Sequence, residues 1–492
     1  MTDGAPGPTA RRRRASRRLW IPAALGAIAL AVALGVDVAQ SKVEAAESVA
    51  ASPSVTGDDA SSLGPSAAPD LDETASSASS IRAAGDAAPA GVCMPAPVPT
   101  TTVKVGASVL PTDSVASNET LDPSQTGVAV TYAAPAFSAD GKRLTTLLRH
   151  DGASTVELFS TPTMTSMVAL GSDWVSAPVE WDPSGTTAAV ARRMKDGALE
   201  LVTVDGAKGA VSFLAKFPSS VAAGIAWSDD GACVAIAVTD DLSAASDAPR
   251  YEDYEVAVVR VADGAVAWIG SGAYPEFLPS GDVVYIGPRA NGRLAYWRAS
   301  TDGLERTMIG ALSEDPGEPR LSADRSAIAY VVEGDELEVR VAPTGTRGSR
   351  AVARIEGATW GYAKWMPDDS SLLVTGGLPS GRTRLWTVDI ETGEVTRVRT
   401  PGLTRAERIS YAAPVPDGSG IVAMVNATRD GAPASHPVLL SQGRSTDLGK
   451  AVAGWASCAP TWSPDGDALV TCHGRSTVDG KTVSGRLVVT RR

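Results

Sequence analysis

One feature constrains this chain more than any other. A five-residue unit, an apolar or aromatic residue followed by a Ser-Pro-Asp-Gly-like turn, recurs along its C-terminal three quarters. It begins at Phe137, Trp181, Trp227, Phe277, Leu321, Trp365, Pro414 and Trp462, at spacings of 44, 46, 50, 44, 44, 49 and 48 residues. The copies at Leu321 and Pro414 are degenerate, so the existence of the repeat is firmer than the count of eight. A fixed period of this size marks a repeat architecture, in which each unit buries its apolar surface against the next.

Each unit reads as strands. An apolar run follows the last seven turns: Ala188–Val190, Val234–Ile236, Val283–Tyr285, Ala327–Tyr330, Leu372–Val374, Ile421–Ala423 and Ala468–Val470. A second run follows in most units, then a turn such as Asp263-Gly264, then a fourth strand. Four strands in about 45 residues is the period of a propeller blade. The fold class predicted is therefore all-β, an eight-bladed β-propeller over residues 125–492. The last unit shows only three strands. Val128–Tyr132, ahead of the first motif, is the expected fourth, closing the ring and removing an open sheet edge.

The motif resembles the TolB-like and WD-like propeller repeats, whose hallmark is this aromatic-Ser-Pro-Asp-Gly turn between a blade's two innermost strands. The resemblance covers about Gln125 to Arg492 and implies the fold, not the activity.

The N-terminal part is a different kind of sequence. Residues 1–18 hold six arginines against one aspartate, and Leu19–Val36 is 18 residues long without a charge. That length suits a membrane span better than the shorter apolar core of a cleaved signal peptide. The arginines should stay cytoplasmic, placing the rest of the chain outside the cytoplasm as a single-pass protein of the cell membrane. Residues 37–124, rich in Ala, Ser and Pro, have no aromatic residue and cannot bury enough apolar surface to offset ordering entropy. They are expected to form a disordered stalk. The whole chain carries −12 and the part after the arginine leader −17, which argues against nucleic acid as a partner.

Four cysteines are present. Cys458 and Cys472 flank the eighth turn symmetrically, so hairpin pairing would set them opposite each other, a disulfide candidate in an exported domain. Cys233 reads as a small core residue, and Cys93, in the stalk, as a free or intermolecular thiol. The three histidines, His150, His436 and His473, come without a Gly-x-Ser-x-Gly elbow, and no spacing points to a metal or cofactor. The acidic insertion Thr239–Glu255 reads as a solvated loop.

Candidate binding residues sit on the inner strands. The position before each motif is charged in four of eight units, at Glu180, Glu276, Arg320 and Lys364. These are expected either to line the central channel or to form structural ion pairs. Just upstream lie Trp174, Tyr274, Trp360, Tyr362, Tyr411 and Trp455, an aromatic patch if exposed and core if packed between blades. The expectation is a non-catalytic scaffold that binds a cell-envelope protein or peptide. The alternative is a ligand- or sugar-binding propeller, hydrolytic if two channel carboxylates converge.

Overall fold

The computed structural model describes residues 117–121 and 130–491, apart from 151–152, 162–164, 171–178, 220, 240–250, 313–319, 405, 450–454, 458–459 and 477–481. The apolar segment 19–36 and the chain up to residue 116 lie outside the described residues. Among the described residues no helix is long and apolar enough to cross a membrane.

Eight antiparallel sheets follow one another along the chain, and in blades 1 to 7 the strands pair in sequence order. Each blade packs on the next, and the eighth packs on the first, so the ring is closed. The core is divided accordingly. Apolar clusters lie between neighbouring blades, one of them joining blade 8 to blade 1 through Leu144, Phe159, Val470 and Leu487. Sheets buried on both faces need strands that are apolar on both faces. The second strand of blade 3, Cys233–Thr239, is buried at every position. Its odd residues Cys233, Ala235 and Ala237 join the cluster shared with blade 4. Its even residues Val234, Ile236 and Val238 join that shared with blade 2.

The repeated turn is a hydrogen-bonded knot. In blade 3 the buried Ser228 hydroxyl donates to Asp230 at 2.7 Å and accepts from the Cys233 N–H at 2.9 Å. Blades 1, 5 and 8 repeat the pattern with Ser138, Ser322 and Ser463. A buried hydroxyl that both gives and takes locks the register of the two inner strands. Removing it leaves the Cys233 N–H unsatisfied, at about 1–3 kcal/mol. Ser228→Ala is therefore expected to lower the denaturant midpoint at unchanged m-value.

Two copies lack the terminal glycine and have found another use. Arg325 and Asp369 stand where other copies have Gly, and both hold left-handed backbones, φ 56° and 54°. Each such non-glycine residue costs about 1–3 kcal/mol, and each is tied to another blade. The Asp369 carboxylate accepts from the Ala323 N–H at 2.9 Å and the Asp324 N–H at 3.3 Å. Arg325 pairs with Asp229 of blade 3 and donates to the Phe277 carbonyl at 3.2 Å.

Three sequence expectations need correction. The ring is closed by Ser117–Leu121, the outer strand of blade 8, which pairs along its length with the third strand, Thr482–Arg491. Val128–Tyr132 does not close it: Val130–Phe137 is the inner strand of blade 1. The assumed stalk boundary at residue 124 therefore lies beyond a strand of the domain. Cys233 is indeed buried, but it is also disulfide-bonded. The third concerns the acidic insertion, which is not solvated throughout: Tyr251 and Tyr254 are buried against blades 3 and 4.

Candidate functional site

The inner strands are joined through their backbones. The indole N–H of Trp181 donates to the Ala136 carbonyl at 3.2 Å, that of Trp227 to Glu180 at 3.0 Å, and that of Trp365 to Arg320 at 2.7 Å. Each of these three tryptophans thus reaches the residue before the preceding blade's motif. Glu180 and Arg320 contribute their carbonyls to this ladder whatever their side chains do.

The side chains of one inner strand can be followed between its neighbouring blades. In blade 6, Trp360–Trp365 alternates: Ala363 and Trp365 join the cluster with blade 5, while Tyr362 and Lys364 face blade 7. The Tyr362 hydroxyl donates to the Ser410 carbonyl and accepts from the Ala412 N–H, both at 3.2 Å. Its ring stacks on Tyr411 with centroids 6.2 Å apart. The Lys364 ammonium lies 3.9 Å from the Tyr411 ring centroid and is hydrogen-bonded to its hydroxyl. Burial pushes the Tyr362 phenol above its ordinary range, with the Arg320 charge pulling the other way. Tyr362, Lys364 and Tyr411, from blades 6 and 7, therefore form one contacting group, with Arg320 on the inner strand of blade 5.

Trp360 begins the strand, at the end of the blade opposite the motif turn. Its indole lies on the backbone of Gly377, where any side chain would meet it at 2.0 Å. Arg320, Trp360, Tyr362, Lys364 and Tyr411 are all half-buried. Such anchored aromatics pay little further entropy on binding.

The other candidates stand apart. Tyr274, on the inner strand of blade 4, has a left-handed backbone, φ 54°, at a bulge just before Pro275, and packs edge-on to Tyr251 at 6.0 Å. Glu276 follows on the same strand, and Glu180 is on blade 2, with blade 3 between them. Trp174 and the Trp455 side chain lie outside the described residues, as do the side chains of His150 and His473. His436 is buried, its Nε2 3.5 Å from Asp447. Cys472 is disulfide-bonded. Cys458 lies outside the described residues.

Sequence reasoning missed a cavity of about 300 Å³ between blades 4 and 5, lined by Asp282, Arg298, Glu305, Thr344 and Arg347. Its walls are turns from two blades, so no local pattern announces it. Arg298 is already committed to Asp282.

No family model matches this sequence, and no curated protein matches it. Solved structures do. The likeness is one of fold. An oligogalacturonate lyase from Vibrio parahaemolyticus is 14% identical over 76% of this chain and 96% of its own, with a TM-score of 0.47. Sqt1 from Chaetomium thermophilum, solved with the N-terminus of ribosomal protein L10, is 12% identical over 74% and 97%, with a TM-score of 0.49. TolB from Acinetobacter baumannii is 14% identical over 62% and 79%, with a TM-score of 0.34. An enzyme and a peptide-bound protein thus stand side by side, and at such identities neither role transfers to this chain.

Proposed function

We propose that this chain is a membrane-anchored, extracytoplasmic scaffold that binds a protein or peptide of the cell envelope without catalysing a reaction. The observation that carries the reading is the group Arg320, Trp360, Tyr362, Lys364 and Tyr411. Large aromatic side chains fixed by their neighbours, beside two cations, have the composition of interface hot spots. The whole chain is acidic, at −12, so this cationic–aromatic seam selects a partner that offers carboxylates. Disulfide bonds at Cys233 and Cys472 support export, because such bonds persist in oxidising compartments. The uncharged segment 19–36 behind an arginine block supports the anchor.

The test is capture of partners from a cell-envelope extract by the full chain, with Trp360→Ala and Tyr362→Ala as variants. A specific protein bound near stoichiometrically should be lost, each substitution weakening binding about 30-fold or more if it removes a hot spot of 2 kcal/mol. Variants with unchanged melting temperature and unchanged capture would overturn the reading. Stabilisation of the chain by a sugar, with no protein captured, would shift the site to Glu180 and Glu276.

A further inference from the structure

Blades 4 and 5 part at their rim where other blades close. In blades 3, 4 and 6 the turn between the third and fourth strands lies on the outer strand of the preceding blade. A Cβ at Gly264, Gly303 or Gly393 would stand 2.2, 2.5 and 2.5 Å from the carbonyls of Leu214, Trp268 and Val352 respectively. The corresponding turn of blade 5 joins Leu337–Pro343 to Arg350–Ile355, and it stands off. A Cβ at Gly345 or Gly348 would meet nothing within 4 Å. Two hydrogen bonds tie this turn to blade 4: the Gly348 N–H donates to the Ile309 carbonyl at 2.7 Å, and Arg298 donates to the Thr344 carbonyl at 3.4 Å. Ile309, Arg298 and Thr344 are also walls of the cavity of about 300 Å³ that the gap leaves.

The lining is polar and carries both signs of charge. Among the described residues that form it, Ile309 alone has a large apolar side chain, and none is aromatic. Burial of an apolar ligand would therefore gain little. Two of its four charges are already spent on each other, because Arg298 donates to the Asp282 carboxylate at 2.6 Å. The Ser300 hydroxyl serves its own turn, accepting from the Glu305 N–H at 3.0 Å and donating to Asp302. Glu305, on the turn of blade 4, and Arg347, on the turn of blade 5, remain. Both are exposed, and among the described residues neither side chain has an ion pair or hydrogen bond. We propose that this cavity binds a small zwitterion, an α-amino acid or dipeptide, with its carboxylate on Arg347 and its ammonium on Glu305.

Charge and size select this class. A lone anion would meet Glu305 and a chain of net charge −12, and a lone cation would meet Arg347. A zwitterion satisfies both and leaves the Arg298–Asp282 pair intact. The planar guanidinium fork matches a carboxylate with two parallel hydrogen bonds. The volume stands at the small end of ligand sites, which excludes anything longer than a short peptide. The site is separate from the inner-strand group of Tyr362, Lys364 and Tyr411 and does not rest on the function proposed for it.

The test is calorimetric titration of the full chain with each protein amino acid and with diglycine. At least one should bind. Its N-acetyl and carboxamide derivatives should each bind about tenfold or more weakly, because each loses one charge-assisted contact. Arg347→Ala should weaken the parent by the same factor and leave the carboxamide unaffected. Glu305→Ala should weaken the parent likewise and leave the N-acetyl form unaffected. Both residues are exposed on turns, so both variants should melt with the wild type. Failure of every amino acid and of diglycine to bind at millimolar concentration would overturn the proposal. So would binding that both substitutions leave unchanged, or binding of acetate as tight as that of the amino acid, which would make the cavity an anion site only.

Discussion

Replacing both Asn118 and Glu119 by proline will open the ring. Successive residues of a strand alternate in their hydrogen bonding, so one of the two donates to Thr482–Arg491 whichever way the strand faces. Proline removes that donor, and the five-residue pairing cannot survive two of them. At about 1 kcal/mol for each of four or five hydrogen bonds, the expected loss is about 4–5 kcal/mol. Blade 8 would then be held only by its packing on blades 7 and 1, and its third strand would become an unpaired edge. The checks are thermal melting, which should fall by several degrees, and light scattering, which should report association. A chain beginning at Gln125 lacks the strand altogether and should behave in the same way. Unchanged melting in both would show that Ser117–Leu121 does not close the ring.

The second large effect is expected at Trp227. Its indole is 8% exposed, fills the layer between blades 2 and 3, and donates to the Glu180 carbonyl. Trp227→Ala removes the largest side chain of that layer and leaves a cavity, at about 3–5 kcal/mol. Trp227→Phe keeps most of the apolar surface but strands the carbonyl, at about 1–3 kcal/mol. Denaturant unfolding of the two variants separates packing from the hydrogen bond. Equal losses would mean that the indole N–H contributes nothing. Trp365, which makes the corresponding bond to Arg320, should show the same ordering with a smaller alanine effect because it is only half-buried.

The period and the turn chemistry were legible because both are local. Ser228, Asp230 and Gly231 make their knot within six residues, and a 44- to 50-residue spacing is visible without coordinates. The closing strand was not legible. Ser-Asn-Glu-Thr-Leu is mostly polar, so it lacks the apolar alternation by which strands are found. Val128–Tyr132 has that pattern because it enters the inner strand of blade 1. For the inner-strand charges the sequence left two environments open, and the structure describes one contact, that of Lys364. Stacked sheets present strand faces to neighbouring blades, so Lys364 meets Tyr411 of blade 7. The disulfide state of Cys233 was beyond reach, since spacing alone does not fix connectivity.

The account rests most on the place where a partner binds. Hydrogen exchange of the full chain, with and without the captured partner, tests it directly. The account predicts slowed exchange in peptides covering Trp360–Trp365 and Arg408–Pro414. The outer strands Val211–Phe217 and Val266–Ser271 should not change, although they expose Val211, Phe213 and Trp268. Protection confined to those outer strands would put the interface on the rim of blades 2 and 3 and contradict the site proposed on blades 5 to 7.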